Sequence, residues 1–154
     1  MPRSSRIRAH GLTLLELLLA LAVAGILAVI AVGGFNQVLD RARVESAKVE
    51  IAELQMQIER YRSQHFRLPD KLADIGQGAF LDPWDRPYHY TRLEGTKGKG
   101  AARKDRKLNP LNSDYDLFSA GKNGVFKNQV SNKDSLDDII RAHDGAYVGL
   151  AADF

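Results

Sequence analysis

The side chains with the clearest chemistry to offer lie in the C-terminal third, where Asp137 and Asp138 stand together and Asn123 precedes a glycine. Carboxylate and amide oxygens, joined by backbone carbonyls, are what a hard cation such as calcium takes, about six to eight at a time. The ligand spacing of an EF-hand, with its closing Glu, is missing. A local reading of the same residues makes Asn123-Gly124 a tight turn and lets the two aspartates cap a helix beginning near Ile139. Acid–base catalysis is disfavoured, because neighbouring side chains in an extended segment point to opposite faces. His10, His65, His89 and His143 share no metal-ligand spacing, and neither a Gly-rich phosphate loop nor a nucleophile elbow occurs. The absence of cysteine excludes disulfides, thiolate zinc sites and cysteine nucleophiles. No catalytic constellation is expected.

Glu16 is a carboxylate in a different setting. From Leu17 to Phe35 no residue is charged, and a span of the hydrocarbon core takes ~20 such residues. Arg3, Arg6 and Arg8 precede the run, and positive flanks stay cytoplasmic, so the remainder is expected to face outward. A carboxylate placed within a membrane costs ~2.5–3.5 kcal/mol on insertion scales and therefore calls for a partner. A plain signal anchor with Glu16 at the headgroup boundary is the simpler alternative.

The run Gly11-Leu12-Thr13-Leu14-Leu15-Glu16, directly after a basic leader, resembles the type IV prepilin signature. That resemblance implies cleavage between Gly11 and Leu12 by a prepilin peptidase, N-methylation of Leu12, and pairing of Glu16 with a neighbouring subunit's N-terminal ammonium to set the register of assembly. The mature chain would begin with Leu where the family usually has Phe or Met, and Gly33 stands where it often has proline.

These residues must be positioned by a chain of 154 residues, room for one domain plus an appendage. Of 22 Lys and Arg, three lie in the leader, so 19 remain against 19 Asp and Glu, and a general nucleic-acid footprint is not expected. Beyond Phe35 the pattern turns amphipathic: Val44, Ala47, Ile51, Leu54, Ile58 and Tyr61 form one helical stripe. No proline interrupts the run from Leu12 to about His65, which reads as one long helix whose second half packs on a small sheet. His89 to Leu93 reads as a strand after the proline-bracketed turn from Asp82 to Tyr88. Asp114 to Ser119 reads as a second, with Tyr115 and Leu117 on one face. Between them 94–112 is rich in Gly, Lys and Arg, including Arg103, and reads as a mobile, solvated hairpin tip.

The Asp82–Tyr88 turn, the strand into Phe118-Ser119-Ala120-Gly121, and Asp137-Asp138-Ile139 resemble the head of G-type pseudopilins, the major pseudopilins of type II secretion. The resemblance implies an α+β, type IV pilin-like fold with a leader at 1–11, a transmembrane and filament-core helix at 12–35, and a periplasmic head at 36–154. It implies a calcium ion held by Asn123, Asp137, Asp138 and the carbonyl of Ala120. Asn123 stands where the family commonly has Asp, and 125–134 is longer than usual. The implied role is a structural subunit of a homo-oligomeric filament that drives folded proteins across the outer membrane. Its expected partners are minor pseudopilins, the prepilin peptidase/methyltransferase, the inner-membrane assembly platform and, before assembly, the lipid bilayer. The alternatives are a type IV pilus subunit for adhesion, motility or DNA uptake, and a membrane-tethered module that binds a partner through its basic loop.

Overall fold

The computed structural model describes residues 13–95, 100–106 and 108–154, apart from the side chains of 31–33. The chain divides into two units, Met1–Leu39 and Asp40–Phe154. Helix α1 runs from Leu14 to His65, as the unbroken pattern predicts. Among the described residues it is the one helix long and apolar enough to cross a membrane by length and composition. Leu14, Leu15, Leu19 and Ile26 are exposed on it.

In the second unit, the stripe read from the sequence becomes the core-facing side of α1. Ala47, Ile51, Leu54 and Ile58 are at most 1% exposed, while the charged residues between them face solvent or its margin. Each buried Ile or Leu contributes about 1.5–3 kcal/mol relative to exposure. The helix stops where Phe66 turns left-handed (φ 54°), just ahead of Leu68-Pro69, whose proline disfavours helical geometry at the preceding residue.

The sheet has four antiparallel strands in sequential order: β1 (His89–Arg92), β2 (Tyr115–Ser119), β3 (Ile139–Ala142) and β4 (Tyr147–Leu150). Two-residue alternation divides β2 between two cores. Tyr115 and Leu117 join the helix-facing cluster with Leu68, Leu72, Tyr88 and Ile139. Phe118 joins Leu111, Val130, Ile140, Ala142 and Ala151 in the other. This is the α+β arrangement expected of a pilin-like chain.

Two expectations are corrected. No helix begins near Ile139: this segment is β3, with Ile139 opposite Ser119 and Ile140 opposite Phe118. β-branched side chains pack well on a pleated surface, and here both faces of the strand are covered. From Ala102 onward the basic segment is not a solvated tip either; Lys97, Lys99 and Lys107 lie outside the described residues. Ala102, Arg103, Leu111 and Asn112 are buried, and Lys104 exchanges backbone hydrogen bonds with Asn128 and Val130.

Candidate functional site

Gly11 and Leu12 lie outside the described residues. Two positions on, Thr13 and Glu16 start α1 with a reciprocal cap. The backbone N–H of Glu16 donates to Thr13 Oγ1 (3.2 Å), and that of Thr13 reaches Glu16 Oε2 (3.5 Å). This capping box satisfies two donors that a helix start leaves open, and it places negative charge at the positive end of the helix dipole. The Thr-x-x-Glu spacing was its signal in the sequence. Glu16 is exposed in the single chain.

The second candidate is the C-terminal loop, which is organised from the turn before β1. Asp82, 4% exposed, accepts the N–H groups of Trp84 and Arg86 at Oδ1 (both 3.0 Å) and the Ser119 hydroxyl at Oδ2 (2.5 Å). Ser119 Oγ in turn accepts the Gly121 N–H (3.0 Å). So held, Arg86 donates from Nη1 to the carbonyls of Gly121 (2.6 Å) and Lys122 (3.1 Å). The loop passes close to its neighbours at two glycines. A Cβ on Gly121 (φ 60°) would lie 2.0 Å from the Asp137 carbonyl oxygen, and one on Gly124 (φ 70°) 2.5 Å from the Arg86 guanidinium carbon.

The structure brings Asn123 and Asp137 together and turns Asp138 elsewhere. Asn123 donates from its backbone N to Asp137 Oδ2 (2.7 Å) and from Nδ2 to Asp137 Oδ1 (2.6 Å) and the Asp134 carbonyl (3.0 Å). Its Oδ1 accepts the Val125 N–H (2.6 Å). These partners fix the amide orientation, since Val125 N can only donate and the Asp oxygens here accept. The Ala120 carbonyl accepts the Gly124 N–H (3.1 Å), making the tight turn that Asn123-Gly124 predicts.

Asp138 is fully buried and faces the interior, where its Oδ2 accepts from Arg103 Nη2 (2.5 Å). The Arg103 guanidinium lies 4.2 Å from the Phe118 ring centre and 5.7 Å from that of Phe126. Its backbone N–H donates to buried Asp116 (2.6 Å), which Asn112 also binds. Burial pushes the Asp138 carboxyl up to about 6, with Arg103 opposing it, and pulls the Arg103 guanidinium down. Arg103 Nε and Nη1 and Asp138 Oδ1 have no protein hydrogen-bond partner.

The four expected calcium ligands are engaged within the protein: Asn123 turns its nitrogen toward Asp137, both Asp137 oxygens accept from Asn123, the Ala120 carbonyl accepts from Gly124, and Asp138 is bound to the buried Arg103 guanidinium. Among the described residues no group of three or more His, Asp or Glu is arranged to hold a metal. Asp82, Arg86 and Arg103 organise the loop, a role the sequence reading gave to none of them: it placed Asp82 and Arg86 in the proline-bracketed turn and Arg103 in the solvated basic segment.

Residues 6–32 match the family described as the prokaryotic N-terminal methylation motif. The match takes in Arg6 and Arg8 of the basic leader, Gly11, Glu16 and most of the apolar run. It supports a type IV pilin-like, prepilin-type protein, processed by a prepilin peptidase, with a single membrane-anchoring helix. Neither the curated proteins nor the solved structures contain a match.

Proposed function

We propose that this chain is a structural subunit of a type II secretion pseudopilus, polymerising through α1 to help drive folded proteins across the outer membrane. One observation carries the reading: the methylation motif coincides with the start of a 52-residue helix whose apolar N-terminal part has no protein cover in the single chain. Lipid covers that surface before assembly and neighbouring helices cover it afterwards, since apolar patches of such extent mark membrane or protein contacts. After cleavage at Gly11, the methylated amine of Leu12 in one subunit pairs with Glu16 of another, which exchanges a local cap for an intersubunit ion pair. The head faces the periplasm. The Asp82 turn and its link to Ser119 support the secretion reading, because these are the segments that resemble G-type pseudopilins.

Cysteines placed at Leu18 and Ile26 test assembly: crosslinking in membranes should give an ordered ladder of multimers, and dimers or monomers alone would reject the filament. Deleting the gene separates the two filament roles. Folded exoproteins retained in the periplasm support the secretion role, whereas intact secretion with lost surface fibres assigns the chain to a pilus.

A further inference from the structure

We propose that the C-terminal loop of this protein is built on two guanidinium cations of its own chain, buried Arg103 and half-buried Arg86, in place of a bound divalent ion, so that its folding is independent of calcium. The inference stands on the loop's own contacts and does not depend on the secretion reading.

Charge is the first part of the argument. The loop's carboxylates include the adjacent Asp137 and Asp138, and a divalent ion is one means of holding such a pair together without disulfides. Here Arg103 and Arg86 bring the two positive charges. Arg103 pairs directly with Asp138 in the interior, and Arg86 clamps the carbonyls of Gly121 and Lys122 on the other side of the turn. An added dication would meet the positive charge of both guanidinium groups.

Ligand atoms are the second part. The carbonyl of Ala120 is taken by Gly124, that of Asp134 by Asn123, and both oxygens of Asp137 by Asn123. An amide that donates to a carboxylate does for Asp137 what a metal would otherwise do. A cation entering this loop would have to displace those donors one by one.

The third part is how firmly the cations are placed. Arg103 is delivered by a segment bonded on three sides: its N–H to Asp116, its carbonyl to the Leu111 N–H, and the next residue to Asn128 and Val130. The Phe118 face then holds the planar guanidinium by a cation–π contact, a role for which ammonium is a poorer match. Arg86 is placed by the Asp82 turn and lies against Gly124, where a side chain would collide with it.

The test uses the full-length chain in detergent micelles, melted in millimolar calcium chloride and in excess EGTA. Superimposable melting curves, and no binding heat on titrating calcium, are the expected result. Calcium raising the melting temperature of the parent overturns the proposal without any variant being made. Arg103→Met should melt several degrees lower in both media, and the double variant R103M/D138L should recover most of that loss, because the carboxylate that Arg103 pairs with directly is removed as well. Arg103→Met melting with the parent would equally overturn it.

Discussion

Arg103 and Asp138, 35 positions apart in sequence, meet at 2.5 Å with side chains 3% and 0% exposed. The pair fastens a segment rich in lysine and arginine to the start of β3. Removing one partner leaves the other as an unmatched buried charge, which typically costs about 3–5 kcal/mol. Arg103→Ala should therefore lower the unfolding free energy by about 3–5 kcal/mol in urea titration, whereas replacing exposed Lys127 should change it by less than about 0.5 kcal/mol.

Gly121 should tolerate no side chain. Its φ of 60° and the 2.0 Å approach of a built Cβ to the Asp137 carbonyl force the loop to move. Gly121→Ala should cost about 2–3 kcal/mol and make the 120–138 segment cleavable by protease under conditions where the parent resists.

Asp82→Ala removes the acceptor for two backbone N–H groups and the Ser119 hydroxyl at once. Each donor left buried without a partner costs about 1–3 kcal/mol. Asp82→Asn keeps one oxygen acceptor, so it should fall between parent and alanine variant in thermal unfolding followed through Trp84 fluorescence.

Acid should weaken the head through His89. This imidazole stacks on Phe118 and packs at a tilt against Phe126, and burial together with the positive charge of Arg103 lowers its pKa, with Asp82 opposing. The unfolded chain then binds a proton near pH ~6.5 while the folded one does not, so stability falls as pH drops through that value and levels off below the folded pKa. The stability difference between parent and His89→Gln should thus change between about pH 7.5 and 5.5 in the parent's disfavour. A pH-independent difference would place the imidazole in water.

Processing and assembly should separate genetically. In cells with an active prepilin peptidase, the intact mass should lack residues 1–11 and carry a methyl group on Leu12. Glu16→Ala should still be cleaved and inserted but form no filaments when it is the only copy present. Filaments as abundant as the parent's would assign register to other contacts.

What could be read from the sequence was what short-range pattern controls. The unbroken helical period carries α1 to His65. The alternation of Tyr115 and Leu117 places β2, and the uncharged run beside Glu16 marks the membrane segment, because each depends only on residues a turn or a pleat apart. β3 escaped because Ile139-Ile140 fits a strand or a helix until Phe118 and Ser119 lie beside it, and β4 pairs only with β3. The place of Arg103 was hidden for a related reason, since a run of lysines and arginines reads as solvated when it is taken alone. Only the tertiary structure brings Asp138, Phe118 and Phe126 around Arg103, and burial of a charge is decided by partners that are distant in the chain.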